Sequence, residues 1–340
     1  MAILIVDNNN PTKYDSEILS TNPSGASESY LNMLAVELAK KDKVYFIQRH
    51  RKEFKVLNRI RYLPEDYDIR QLSNIENVIL QRNLKSYENI SNVFTKANVI
   101  CWLHDFFETK ANQNLNITHY ESDITFVCLT NWHKNNIKLG YLNSGIKLKN
   151  KIEIIPHFIS CKNEISLKTN MYDRDKVCFF SSGVKGLESS YRLFKNLQVG
   201  KPNLKFYFSS PSYDNVEYNF NDNSVINLGG ISRDDILSHL STSICLFAIN
   251  FNYPETFGCI FKEANLVGTP VLTTPIGSAP EVLSDEQVIY PDKYSADLRG
   301  EKKFIETFNK WYFQNDRPLI YLEEKYKKEN VLKLWRKIIK

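Results

Sequence analysis

Short apolar runs alternate with amphipathic stretches along the whole chain, and each run has the length of a β-strand. The first half contains the runs Ile3–Asp7, Val44–Gln48, Val78–Leu80, Val99–His104, Ile124–Thr130 and Ile152–Ile155. The second half repeats the pattern with Val177–Ser182, Phe206–Ser209, Val225–Leu228, Ile244–Ile249, Val271–Thr274 and Val288–Tyr290. Helical segments lie between these runs, and such an alternation predicts parallel sheets joined by right-handed crossovers.

The chain has 340 residues, which is too long for one ordinary hydrophobic core. A polar stretch with weak periodicity separates the two halves and predicts a linker at 158–175. We therefore expect an α/β protein with an N-terminal Rossmann-like domain at 1–157 and a C-terminal one at 176–316. Each domain is a doubly wound parallel sheet, and the two are expected to face a central cleft, because such sheets bind ligands at the carboxyl ends of their strands.

The remaining segment, 317–340, ends in a predicted helix whose apolar residues are Val331, Leu334, Trp335 and Ile338. We expect this helix to pack back across the domain boundary, with a membrane surface as the alternative. The segment carries eight Lys and Arg against three Glu, and residues 40–61 carry nine basic residues against two acidic ones. These basic segments allow peripheral contact with anionic lipid, although solvated helix faces are the better explanation of them.

Composition narrows the class of protein further. No run approaches the roughly 18 apolar residues of a membrane span, and the N-terminal stretch MAILIVDNNN is typical of a buried strand, not of a signal peptide. The six cysteines are scattered without a C-x-x-C pair, which favours the reducing cytoplasm over a disulfide or zinc framework. Aromatic residues do not interleave with basic ones, so we expect no nucleic-acid partner.

The stretch YPETFGCIFKEANLVGTP at 253–270 holds the candidate chemistry. It predicts a helix from Phe257 to Val267, and Gly268 and Pro270 are typical of a helix end. Glu255 precedes this helix and Glu263 lies inside it, about 8 Å further along at 1.5 Å per residue. Four backbone N–H groups at the helix start, those of Phe257, Gly258, Cys259 and Ile260, would attract an anion between the two carboxylates. A diphosphate flanked by hydroxyl-rich groups fits this arrangement, as in a nucleotide sugar.

The segment PETFGCIFKEA resembles the E-x7-E motif of retaining glycosyltransferases with the GT-B architecture, in particular glycosyltransferase family 4 (glycosyl transferases group 1). The resemblance extends to SSGVKGLESSYRLF, NLGGISRDDILSHLSTSICLFAIN and GSAPEVL in the second half. In the first half it includes PSGASESYLNMLAVELAK, CWLHDF, LTNWHKNNI and IEIIPHFIS. In order and spacing it spans nearly the whole chain.

The resemblance implies roles for residues of the second half. Glu255 would contact the donor sugar, Glu263 would hold the ribose hydroxyls, and Phe257, Gly258 and Cys259 would offer backbone N–H groups. Lys185 would pair with the diphosphate and stabilise the leaving group. The nucleobase would meet the backbone at a further set of positions, Gly230, Ile231 and Ser232. The family usually has an arginine a few residues before the lysine, whereas this sequence has Ser181 and Ser182.

In the first half, the resemblance implies that His104 reaches the sugar from the acceptor side, with Asp105 beside it as a further binding residue or a cap. Gly25, in the small-residue loop before the first long helix, would admit a phosphate or an acceptor hydroxyl. Two D-x-D patterns, at 66–68 and 173–175, lie in polar segments without a preceding apolar strand and are attributed to chance. Enzymes with the GT-B architecture generally do without a bound metal, so the resemblance implies none here, and no cofactor besides the donor substrate.

The sequence therefore predicts a cytoplasmic glycosyltransferase that moves a sugar from a nucleoside-diphosphate sugar to an acceptor hydroxyl with retention of configuration. The acceptor, whether carbohydrate, lipid-linked or protein, remains open, as do the donor base and sugar. Two alternatives stay in place: a GT-B nucleotide-sugar epimerase, and a degenerate binding protein that has lost catalysis together with the missing arginine.

Overall fold

The computed structural model describes residues 1–82, 84–108, 123–160, 172–209, 218–291, 300–314, 317–318 and 320–339. The chain divides into two compact units. The first comprises Met1–Phe158 with Glu329–Lys340, and the second comprises Ile159–Lys328. Most of the linker predicted at 158–175 falls on 161–171, outside the described residues.

The first unit is built on a sheet with the strand order β3-β4-β2-β1-β5-β6-β7-β8. Its strands are β1 (Ala2–Asp7), β2 (Lys43–Gln48), β3 (Lys55–Leu57), β4 (Ile60–Leu63), β5 (Asn77–Gln81), β6 (Asn98–Trp102), β7 (Thr125–Cys128) and β8 (Ile152–Ile154). Its helices are α1 (Ser16–Thr21), α2 (Ala26–Ala39), α3 (Tyr87–Val93) and α4 (Asn131–Asn143). All pairings are parallel except that of β3 with β4.

The central strands of this sheet are buried on both faces, which is why the sequence shows them as continuous apolar runs. Strand β1 pairs with β2 on one side and β5 on the other, so Asp7 and Gln81 end neighbouring strands at the same edge. The sequence did not predict the β3–β4 hairpin. It forms because Asn58 and Arg59 both adopt a left-handed backbone in the turn, and its edge strand β3 is only partly buried.

The second unit is built on a smaller, parallel sheet with the order β11-β10-β9-β12-β13. Its strands are β9 (Asp173–Phe180), β10 (Lys205–Ser209), β11 (Val225–Asn227), β12 (Ser243–Ala248) and β13 (Val271–Thr273). Its helices are α5 (Leu187–Gln198), α6 (Arg233–Ser241), α7 (Cys259–Leu266), α8 (Ala279–Val282) and α9 (Glu301–Phe313). Strand β9 begins four residues before the predicted start at Val177, and the strand predicted at 288–290 is a single bridge from Val288 to Thr273.

The last helix, α10 (Lys328–Ile338), places residues 329–338 in the first unit. Trp335 is fully buried and packs edge-on against Trp102 of β6, with ring centroids 4.8 Å apart. Asn98 donates a hydrogen bond of 2.8 Å to the carbonyl of Ile338, and Arg336 pairs with Asp42. The apolar face of this helix is therefore covered by protein. None of the described helices has the length and apolar character needed to cross a bilayer.

The predicted α/β fold with two doubly wound parallel sheets is confirmed.

Candidate functional site

A small cleft lies at the carboxyl edge of the second sheet. Its walls include Phe180, Ala248 and Thr273, the last residues of β9, β12 and β13. Lys185 and Glu255 line the same cleft. Because parallel sheets of this kind bind ligands where their strands end, this cleft is the candidate site of the second unit.

Lys185 and Glu255 form an ion pair, with 2.8 Å between the lysine Nζ and the carboxylate Oε1. Lys185 ends a short 3-10 turn, and the chain then enters α5 through Gly186 at φ 108°. A Cβ at Gly186 would lie 2.0 Å from the carbonyl oxygen of Ile249, so only glycine lets the turn approach β12 this closely. The backbone of Glu255 is held in turn by the N–H of Ser278, which donates to its carbonyl at 2.8 Å.

The helix behind this pair begins two residues later than the sequence predicted. Gly258 precedes α7 in a left-handed conformation (φ 69°), so Cys259 is the first helical residue and carries one of the free N–H groups of the helix start. Phe257 is buried and packs edge-on against Tyr326, with centroids 5.5 Å apart. Its side chain therefore anchors the loop, while the helix start lies between Glu255 and Glu263 in the sequence.

Glu263 forms a second ion pair, with Arg233, at 2.5 Å between Nε and Oε1. Sequence reasoning missed Arg233, although it lies in the segment that carries the resemblance, directly after Ser232. All four of these charged side chains shift the pKa of the Cys259 thiol. Burial raises the pKa of this thiol well above its usual value, Glu263 and Glu255 raise the pKa further, and Lys185 and Arg233 lower it. Both ion pairs therefore lie close enough to Cys259, the first residue of α7, to shift the pKa of its thiol.

The positions expected to meet the nucleobase lead into α6. Ser232 caps this helix: its hydroxyl accepts from the N–H of Asp235, and the Asp235 carboxylate accepts from the N–H of Ser232. Gly230 and Ile231 precede the cap in an open loop, with no regular hydrogen-bonded structure. Where the family places an arginine, Ser181 lines the cleft and Ser182 is buried.

His104, in the first unit, lies two residues beyond the end of β6 and is buried. Its Nε2 is 3.0 Å from the side-chain oxygen of Gln81, and its ring stacks on His157 at 5.2 Å. Burial lowers the pKa of His104 well below the usual value, and His157 and Arg82 lower it further. The ring is therefore neutral at physiological pH.

Asp105 and the start of α2, which Gly25 precedes, both contact a residue that the sequence did not single out, Arg82. The guanidinium of Arg82 lies 3.6 Å from Asp105 and 3.7 Å from Glu28, and it also donates to the hydroxyl of Ser27. Burial opposes this charge, yet Asp105 and Glu28 raise the pKa of Arg82 above its usual value. Gly25 precedes α2, and a Cβ there would lie 2.2 Å from a carboxylate oxygen of Glu28. The carboxylate of Glu28 therefore lies beside Gly25 at the start of α2.

Local contacts account for the two D-x-D patterns. Asp68 accepts from the backbone and side chain of Arg70, while the segment 173–175 opens β9 and Asp175 accepts from the Tyr312 hydroxyl. Within the described parts of the chain, no group of three His, Cys, Asp or Glu side chains could hold a metal ion.

Comparison with known proteins gives a family match for part of the chain and a fold match for nearly all of it. Residues 173–318, slightly less than half of the chain, match the family model described as "Glycosyl transferases group 1". A comparison with curated proteins gave no match. Among solved structures, sucrose-phosphate synthase from Thermosynechococcus elongatus superposes with a TM-score of 0.64 and 13% identity, over 99% of this chain and 96% of that one. HepE from Anabaena, in complex with UDP, superposes with a TM-score of 0.61 and 13% identity, over 100% of this chain and 96% of that one.

A third structure, the pneumococcal O-GlcNAc transferase GtfA in complex with UDP and GlcNAc, gives a TM-score of 0.57 and 14% identity. The match covers 77% of this chain and only 56% of GtfA. The fold is therefore the GT-B fold of glycosyltransferases, as the sequence predicted. The region that matches the glycosyl transferases group 1 model, 173–318, lies within the second unit.

Proposed function

We propose that the protein transfers a sugar from a nucleoside-diphosphate sugar to an acceptor hydroxyl, with retention of anomeric configuration. The observation that carries this proposal is the Lys185–Glu255 pair at 2.8 Å, because it places a cation and a carboxylate together at the edge where the strands end. The lysine cation can pair with the phosphate oxygens of a diphosphate, and the carboxylate can accept hydrogen bonds from sugar hydroxyls.

In this proposal the second unit binds the donor. Lys185 and the N–H groups of Gly258 and Cys259 bind the diphosphate, and their positive charge stabilises the leaving group as the glycosidic bond breaks. Glu255 accepts hydrogen bonds from the transferred sugar, and Glu263 accepts them from the ribose. The sugar is thereby oriented while charge develops on the phosphate oxygen.

The first unit supplies the acceptor side, through His104, Asp105 and Gly25. The neutral ring of His104 suits contact with a hydroxyl and argues against a role as a cationic acid. We propose that the departing phosphate, on the same face of the sugar as the acceptor, takes the acceptor's proton. Atoms then balance: the bond from sugar to phosphate breaks, the bond from sugar to acceptor oxygen forms, and the proton moves to the phosphate.

We propose uridine as the donor base to test first, because the solved structures of HepE and GtfA contain UDP. The decisive assay measures nucleoside diphosphate released from UDP-, GDP- and ADP-sugars, with and without carbohydrate acceptors. Release that requires an acceptor, and a product with the donor's anomeric configuration by proton NMR, would support the proposal. Interconversion of free nucleotide sugars without an acceptor would indicate an epimerase, and binding without consumption of any donor would indicate a degenerate binding protein.

A further inference from the structure

Glu263 receives its charged partner from a different helix. Arg233 is the first residue of α6, and Glu263 lies in the second turn of α7, thirty residues later. Their ion pair is mostly enclosed, with the arginine side chain 22% and the carboxylate 10% exposed. A guanidinium bond in such a setting fixes the carboxylate more firmly than an exposed pair would, because solvent competes less for either group.

The geometry leaves the carboxylate able to bind a ligand. Arg233 donates through Nε to one oxygen, Oε1. An ionised carboxylate offers about four acceptor positions on its two oxygens, so this bond does not consume the capacity needed for two hydroxyl donors. The bond does fix the direction in which the remaining lone pairs point.

We propose that Arg233 is a positioning residue, which orients Glu263 toward the ribose 2′- and 3′-hydroxyls and thereby makes the donor site select ribonucleotides over 2′-deoxyribonucleotides. This inference rests on the proposed function, in which Glu263 holds the ribose. In this inference Arg233 acts on ribose binding, through Glu263, and does not bind the diphosphate.

Charge pairing separates these two roles. Lys185 is paired with Glu255 and Arg233 with Glu263, so each cation has its own carboxylate in the unliganded protein. A diphosphate that bound Arg233 would have to displace Glu263 from it, and the carboxylate would then lose the contact that orients it toward the ribose. A hydroxyl can instead bind Glu263 while the ion pair stays intact.

The test measures binding of UDP, GDP and ADP, each beside its 2′-deoxy form and its monophosphate, by isothermal titration. The variants are Arg233→Gln, Arg233→Lys and Glu263→Gln. The matched control is Arg192→Gln, which breaks an exposed pair with Glu301 in the same unit. Thermal melting of each variant verifies that it is folded.

We expect the wild type to prefer the best ribonucleotide over its deoxy form by about tenfold or more, since a hydrogen bond to a charged group is lost. Arg233→Gln should reduce that preference to less than about threefold and keep the preference for diphosphate over monophosphate. Arg233→Lys should be intermediate, and the control should match the wild type.

Two results would overturn the inference while the proposed function stands. One is an unchanged ribose preference in folded Arg233→Gln or Arg233→Lys, and the other is a selective loss of the diphosphate preference in these variants, which would make Arg233 a phosphate ligand. If the wild type binds none of the nucleotides, the proposed function and this inference fail together.

Discussion

The side-chain nitrogen of Lys185 lies 2.8 Å from a carboxylate oxygen of Glu255, across seventy residues of sequence. The pair neutralises both charges in the unliganded protein. Any anion that binds Lys185 must therefore compete with Glu255. Removing the carboxylate should strengthen anion binding at Lys185 and weaken the contact with the donor sugar.

The first prediction concerns this competition. Glu255→Gln frees the Lys185 ammonium, and UDP should bind about two- to fivefold more tightly, as expected for loss of a partly exposed pair worth up to about 1 kcal/mol. Turnover of the nucleotide sugar should fall, since the amide offers weaker acceptors to the sugar. Titration with UDP and a steady-state assay measure the two effects; weaker UDP binding in this variant would argue against the competition.

The second prediction separates the two glutamates. Glu263→Gln should raise KM for the donor by about tenfold with a smaller effect on kcat, because the ribose does not change during the reaction. Glu255→Gln should act mainly on kcat. Steady-state kinetics with varied donor concentration distinguish the two patterns, and identical kinetic changes in both variants would contradict the assigned roles.

A third prediction tests the start of α7. Gly258→Ala forces a Cβ into the left-handed region and to within 2.3 Å of the Phe261 ring, so the free energy of unfolding should fall by about 1–3 kcal/mol. UDP binding should weaken as the N–H groups move.

Gly200→Ala is the matched control in the same unit, because a Cβ there meets nothing within 4 Å. Urea denaturation compares the two variants. Equal stabilities of Gly258→Ala and Gly200→Ala would show that the helix start is not constrained as described.

The fourth prediction concerns pH. Burial, aided by His133, lowers the pKa of His157 to about 3, below the usual histidine pKa of about 6.5. Between these pH values the unfolded chain binds a proton at His157 that the folded protein does not. The contribution of His157 to the free energy of unfolding is therefore fully present above about pH 6.5 and declines as the pH falls. The slope from this residue is about 1.4 kcal/mol per pH unit.

His157→Phe keeps an aromatic ring beside Tyr30 and His104 but removes the titrating group. The free energy of unfolding, measured from pH 6.5 down to pH 5, should therefore decline less steeply in the variant. A slope equal to that of the wild type would contradict the buried, neutral state of His157.

The sequence predicted the central strands well because a strand covered on both faces must be apolar along most of its length, as β1 and β12 are. It missed the β3–β4 hairpin, because β3 is an edge strand with a mixed, partly exposed surface. The start of α7 was placed two residues early, because the left-handed conformation of Gly258 is a backbone property that periodicity does not reveal.

The sequence likewise revealed some residues of the candidate site and missed others. Lys185 and Glu255 were identified separately by resemblance, and only the fold shows that they touch. Arg233 was missed because its partner lies on another helix, and an ion pair between helices leaves no spacing pattern in the sequence. Arg82 was missed for the same reason, since its carboxylate partners come from two distant segments.

The most direct test of the account is calorimetric titration of wild type and Lys185→Gln with UDP, GDP and ADP, using Lys302→Gln, an exposed lysine paired with Glu306, as the control. We predict that at least one nucleoside diphosphate binds the wild type and the control with equal affinity. Binding to Lys185→Gln should be weaker by about tenfold or more, the cost of one charge-assisted contact. Binding that is unaffected by Lys185→Gln, or the absence of binding to the wild type, would contradict a donor site at Lys185.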